Sequence, residues 1–422
     1  MRENDEHPQV PRLRFSGFDK PWSNAPLSKA LVEHKLKNTN RRDVFSVSME
    51  SGVVNQIEHL GRSYAASDTA HYNLGRCFDL VYTKSPLKAF PFGIVKQCKF
   101  DGEVALSPLY GVFTPTNPHV GLMVEAYFES PHRSIAFLSP LCQKGAKNTI
   151  QITNSTFLSG RLPLPVDPAE QQKIAGCLSS LDELIAAETR KLGVLKVRKK
   201  GLMQQLFPRK DETVPRLRFP EFVKAEDWKE ARLEDLSKRG SGHTPSKAHP
   251  EYYDGEIKWV SLADSKRLDS GLIEETDVKI SEAGIQNSSA VLHPAGSVLL
   301  SRDAGVGKSA VMGSPMAVSQ HFIVWTCKPD RLSNWFLYYT LQLNKAVFER
   351  VATGSTIKTI GLPFFIDFRL KVPSLAEQEM IAGCLTSLDS RIAAQVQLLE
   401  KLKAHKNGLT QQLFPVPDEV SA

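Results

Sequence analysis

The feature that most constrains this chain is that much of it is written twice. IAGCLSSLDELIAA at 174–187 returns as IAGCLTSLDSRIAA at 381–394, 207 positions later, and QQLFP at 204–208 returns at 411–415 with the same offset. VPRLRF at 10–15 returns at 214–219, an offset of 204. Each half opens on a shared hexapeptide, passes through a region with little in common, and closes on a shared segment. A period near 200 residues means duplicated domains rather than a solenoid of short repeats, and 422 residues exceed one ordinary core.

The closing segment reads as a helix. In the second copy Ser374 stands at the start with Glu377 three positions on, the pattern of a capping box; in the first, Asp167 and Glu170 take those places and Pro168 occupies the first helical position. Pro208 and Pro415 mark where each helix must stop. Between them apolar residues recur in alternating steps of four and three. The first helix shows Ile174, Leu178, Leu181, Ile185, Leu192, Leu195, Leu202 and Leu206; the second shows Ile381, Leu385, Leu388, Ile392, Leu399, Leu402, Leu409 and Leu413. This is a coiled-coil seam of about five heptads, and such a helix runs about 60 Å. Polar residues interrupt it at Glu188 and Lys199 in one copy and at Gln395 and Lys406 in the other.

A seam so narrow needs a partner, and the two copies are expected to pair with each other. Antiparallel pairing is the natural arrangement, because the chain must cross a whole domain between them. Centring the seam between Glu188 and Lys199 sets Glu188 against Lys406 and Lys199 against Gln395, buried polar positions of the kind that fix register. The basic run RKLGVLKVRKK at 190–200 reads as a solvated face of the same helix, or as a contact to the phosphates of a duplex lying along it.

Residues 16–160 and 220–370 read as mixed α/β, with short β-rich runs such as DVFSVS at 43–48, IKWVSL at 257–262 and GSVLLS at 296–301. Charged residues at 23% and hydrophobic residues at 41% describe a soluble globular protein. No apolar run approaches the roughly 18 residues that span a bilayer, and MRENDEHPQV at the start lacks the apolar centre of a signal peptide. Six cysteines lie scattered with no C-x-x-C pair, which predicts reduced thiols in a cytoplasm. A net charge of +7 attracts polyanions, nucleic acid among them.

Three motifs imitate enzymes. GVGKS at 305–309 resembles a phosphate-binding loop, but that loop needs a glycine five residues before its Gly-Lys-Ser, where this chain has Arg302. Gly313 and Pro315 also break any following helix. Glu256 and Lys258 fit half of a metal-dependent nuclease core, yet Glu251 and Asp254 lie too close for its two-strand geometry. Asn117-Pro118-His119 lacks the second proline and the aromatic of an adenine methyltransferase loop. His243, His293 and His321 form no metal-ligand spacing. No metal site and no catalytic residue is read from this sequence.

Several segments together carry a family resemblance. They are SGHTPSKAHPEYYDGEIKWVSLADSK at 241–266, ISEAGIQNSSA at 280–290, GSVLLSRDAGVGKSAV at 296–311 and ATGSTIKTI at 352–360 in the second half. In the first half they are VFSVSMESGVV at 44–54, VALSPLYGVF at 104–113 and LPLPVDPAEQQKIAGCLSSLDELIAA at 162–187. In this order, around a duplicated helix, the chain resembles the specificity subunit of type I restriction–modification systems, over nearly its whole length except the first nine residues and the tail after Phe414. The first recognition region departs most from the familiar pattern.

The resemblance implies a mixed α+β fold with pseudo-twofold internal duplication: two globular target recognition domains, at 10–165 and 214–372, joined by two long antiparallel coiled-coil spacer helices at 167–208 and 374–415. It implies a non-catalytic subunit that reads a bipartite site in double-stranded DNA and recruits two methyltransferase subunits and, through them, restriction (translocase) subunits. S-adenosylmethionine, ATP and magnesium belong on those partners, with no cofactor on this chain. Leu184, Ala187 and Arg391 lie off the seam and are left for partners. A methylation-only or related phage-defence complex differs only in its partners. A P-loop ATPase or nuclease, and a coiled-coil adaptor without a DNA role, are the readings from other classes.

DNA is read by hydroxyl, amide and basic side chains on loops. The second domain offers Thr244, Ser246, Lys247, Arg302, Lys308, Ser309, Gln320, His321, Thr353, Ser355, Thr356 and Lys358. The first offers Lys84, Lys88, Tyr110, Arg133, Lys144 and Lys147, chosen by type and loop context.

Overall fold

Each globular part is closed by the same small device: a strand just after the shared hexapeptide pairs with a strand just before the long helix. In the first half Ser23–Pro26 runs antiparallel to Arg161–Leu164, and in the second Lys229–Arg232 runs antiparallel to Arg369–Val372. The computed structural model describes residues 10–144, 150–354 and 358–415. The chain divides into two compact units, residues 1–188 with 398–422 and residues 189–397, so the division falls inside both long helices.

The first unit holds two four-stranded sheets. One runs in the order Leu31–Glu33, Gly111–Pro115, Leu80–Thr83, Ile94–Gln97; the other runs Gly52–Asn55, Val44–Ser48, Glu103–Leu106, Asn73–Arg76. Helices Pro118–Phe128 and Pro131–Leu138 lie beside them, each with a proline in its first turn and a side-chain cap from Asn117 or Ser130. Tyr82, Phe113, Phe128, Phe137 and Phe157 form an aromatic core that also takes in Ile174, Leu178, Leu413 and Phe414 from the two long helices.

The second unit has a five-stranded sheet in the order Ser237–Ser241, Phe322–Cys327, Val298–Ser301, Ser309–Met312, Leu272–Ile273. A three-stranded sheet runs Lys279–Ile280, Tyr253–Val260, Ala317–Val318. Its main core joins Trp228, Trp325, Phe336 and Tyr339 to Leu206 and Phe207 of one long helix and Ile381 and Leu385 of the other.

The long helices are Pro168–Leu206 and Leu375–Leu413, 39 residues each. In the first unit, going from Ile174 to Asp182 on one helix accompanies going from Leu413 back to Lys406 on the other, so the segments run antiparallel. The second unit repeats this with Leu206 to Lys199 against Ile381 to Asp389. All the apolar seam positions are buried or half-buried, as are Glu188, Lys199, Gln395 and Lys406.

The polar register differs from the expected one. Lys406 Nζ lies 2.6 Å from Asp182 Oδ1 and 2.6 Å from Glu129 Oε2, not against Glu188. Lys199 Nζ lies 2.5 Å from Asp389 Oδ1 rather than against Gln395. Asp182 and Asp389 are equivalent in the repeat, as are Lys199 and Lys406, so each lysine takes the aspartate of the opposite copy. The interruptions do not face one another, because a lysine's four-carbon stem reaches a carboxylate flanking the seam.

The helix starts hold a second correction. Ala169 N donates to Asp167 Oδ1, and Glu377 N to Ser374 Oγ, so both N-cap side chains act as caps. The glutamates do not turn back to complete a capping box. Glu170 instead takes a two-pronged bond from Arg14 at 2.7 and 2.8 Å and one from Trp22 Nε1 at 3.2 Å. Glu377 takes the same from Arg218, at 2.8 Å twice, and from Trp228 Nε1 at 3.4 Å. The shared hexapeptide is therefore the arginine half of a buried clamp on the start of each helix.

Candidate nucleic-acid interface

In the second unit three segments converge on a cleft of about 720 Å³: the loop after Ser237–Ser241, the end of Tyr253–Val260, and the turn after Ala317–Val318. Parallel pairing of Trp259 with Ala317 and Val260 with Val318 brings the last two together. Gly242 lets the first approach them, because a Cβ there would lie 2.0 Å from the Val318 carbonyl oxygen. Trp259 Nε1 donates to His243 O at 3.1 Å and Tyr253 Oη to Pro245 O at 2.6 Å, pinning the loop at two points. Burial raises the pKa of the Tyr253 phenol, which keeps it a donor. Gly242→Ala is expected to cost about 1–3 kcal/mol through this clash, read as a lower urea midpoint of the purified chain.

Four of the sequence candidates line this cleft: Thr244, Lys247, Gln320 and His321. Thr244 Oγ1 donates to Gln320 Oε1 at 2.5 Å, and His321 Nδ1 lies 2.8 Å from Asp303 Oδ1. Ser319 joins them with a buried hydroxyl that has no partner among the described residues, and sequence reasoning did not select it. Ser246 is exposed on the same loop.

GVGKS is the turn of an antiparallel hairpin, Val298–Ser301 against Ser309–Met312, with Ala304, Gly305 and Gly307 in the left-handed region. A phosphate-binding loop instead leads from a strand directly into a helix. Two candidates here turn inward. Ser309 is fully buried, its hydroxyl accepting from Gln342 Nε2 at 2.9 Å, and Lys308 Nζ bonds Ser265 O and Oγ at 3.0 and 3.1 Å. Ser309 is thereby held inside the fold, and Lys308 is half-buried against Ser265. Arg302 is half-buried, with an Nε that lacks a partner among the described residues. Thr353 and Lys358 are exposed, while Ser355 and Thr356 lie outside the described residues.

In the first unit Lys84 and Lys88 are exposed on the hairpin between Leu80–Thr83 and Ile94–Gln97. Tyr110 is half-buried, and burial raises its phenol pKa. Arg133 is a correction: it is buried and donates to Thr410 O, Gln411 O and Phe414 O at 2.7, 2.9 and 3.2 Å. It caps the carbonyl end of the second long helix, where a cation also meets the helix dipole favourably. The Lys144 side chain and Lys147 lie outside the described residues. Two further basic residues, Lys35 and Arg41, stand exposed in left-handed backbone on the loop 34–42, with φ of 54° and 50°. Asn38 ties that loop to Thr69, and elsewhere in the unit Arg62 lies over the exposed Tyr64 ring at 4.5 Å. The sequence signal was the cluster HKLKNTNRR.

Residues 225–404 match the family described as "Type I restriction modification DNA specificity domain". Over that stretch the chain is similar to the type I specificity subunits. It is 26% identical over 181 residues to the MjaIX specificity subunit of Methanocaldococcus jannaschii, covering 42% of each chain. To the EcoR124I/EcoR124II specificity subunit of Escherichia coli it is 25% identical over 278 residues, 62% of this chain and 64% of that one. These matches thus span less than two thirds of those relatives' length. The crystal structure of the type I S subunit from M. genitalium shares the fold, with a TM-score of 0.60 at 13% identity over 96% of this chain and 99% of that one. A chain from a type I complex-assembly structure gives 0.51 at 15% identity, over 94% and 98%. Two globular parts with long helices are thus a fold this chain shares with that S subunit. Among the described residues no helix is long and apolar enough to cross a membrane, and no His/Cys/Asp/Glu group is placed to hold a metal.

Proposed function

We propose that this chain is a specificity subunit, the DNA-reading, non-catalytic component of a type I restriction–modification complex acting in the cytoplasm. Each unit reads one part of a bipartite duplex site. Two methyltransferase subunits, and through them restriction subunits, assemble on it and supply S-adenosylmethionine, ATP and magnesium. The observation that carries this reading is a shared frame around unlike interiors: the same arginine–glutamate–tryptophan clamp and strand pair close both units, while their sheets differ in strand number and order. Identical frames suit common partners, and different interiors suit different half-sites. Leu184, Ala187 and Arg391, exposed on the long helices, are offered to those partners.

Mapping methylated adenines across the host genome, with and without this gene, tests the reading. A two-part motif that disappears with the gene is the expected result; an unchanged methylation pattern rejects it. In gel shifts with the methyltransferase subunit present, a duplex carrying that motif is expected to bind more tightly than its scrambled counterpart.

A further inference from the structure

We infer that the Gln320 cleft of the second unit reads a guanine edge, and that Thr244 is the positioning residue that makes the choice. The inference rests on the DNA-reading function proposed above. A free glutamine amide presents one donor and one acceptor, which matches adenine N7 and N6. Here Thr244 Oγ1 donates to Gln320 Oε1 at 2.5 Å, taking one of the two acceptor positions of that carbonyl and holding the amide, which favours the Nε2 donors for a ligand.

The rest of the lining agrees. Lys247 adds an ammonium donor, and Ser319, 1% exposed, adds a hydroxyl without a partner among the described residues. No carboxylate, the usual acceptor for the cytosine N4 donor, lines the cleft. Guanine alone offers two acceptors, O6 and N7, on its major-groove edge. Trp259 and Tyr253 hold the loop that carries Thr244 and Lys247, so the donors are set before DNA arrives.

The test is the methylation map of hosts carrying Thr244→Val, Thr244→Ser or Gln320→Ala in the full-length subunit. Valine frees the amide to turn, and one guanine of the motif is expected to relax to guanine or adenine, with discrimination falling about ten-fold. Serine retains the hydroxyl and keeps the guanine. Alanine at 320 relaxes the same position, while the other half of the motif stays intact and reports a folded subunit. The inference is overturned if the relaxed position is not a guanine, if valine and alanine affect different positions, or if the alanine variant methylates the unaltered motif. Should valine abolish methylation altogether, the alanine variant decides. Failure of the underlying reading looks different: the wild-type gene would then leave no motif to alter.

Discussion

Glu377→Ala is expected to lower the stability of the chain by about 3–5 kcal/mol, because it leaves a buried guanidinium without its carboxylate. Arg218 is 7% exposed and Glu377 1% exposed, so water does not screen the loss. The bond is two-pronged, the strong geometry for this pair, and Trp228 Nε1 loses an acceptor in the same step. Glu377→Gln keeps the shape and one acceptor and is expected to cost less. Urea titration monitored by tryptophan fluorescence measures both, since Trp228 sits at the lesion. Equal and near-zero losses would show that the clamp contributes nothing to stability.

Lys406→Met is expected to cost about 3 kcal/mol, because Glu129 and Asp182 would face each other without the cation that joins them. This lock has a definite pH range. Burial pushes the Glu129 carboxyl up, but Lys96 and Lys406 more than offset it, and its pKa falls below the ordinary 4.5. Its contribution is therefore present above that value and lost as pH falls through the lowered one. Burial pulls the Lys406 ammonium down, but Glu129 and Asp182 outweigh it, and its pKa rises above 10.5. That contribution is present below 10.5 and lost as pH climbs through the raised value. Denaturation midpoints of the wild type and variant should converge towards both extremes and differ most near neutrality. A constant gap across pH would exclude the ion pairs as its source.

The long helices were legible because a period-3.5 pattern survives any context, and it spans both copies. The duplication was legible because the helix and hexapeptide had to serve the same clamp twice. The clamp itself was not: Arg14 and Glu170 stand 156 residues apart, and nothing local tells a carboxylate that closes a capping box from one that receives an arginine. The same blindness produced the register error, since Asp182 and Asp389 sit off the apolar stripe that drew attention. At the candidate interface, residue type picked out Thr244, Lys247, Gln320 and His321, which the turn of the chain gathers into one cleft. It also picked out Ser309 and Arg133, whose polar groups satisfy buried partners, because a hydroxyl or guanidinium reads the same in sequence whichever way it faces.

The first unit is finished by residues 398 onward, whereas the second is a continuous stretch from 189 to 397. On the ribosome, the earlier-made portion must therefore wait for residues 398–414 before Phe414 can seat among its aromatic rings and Arg133 can find its carbonyls. Domains fold as units during synthesis, usually the N-terminal one first. Here translation order and completion order are inverted, and a nascent protein cut short near residue 397 would carry its second unit but leave the first unsealed.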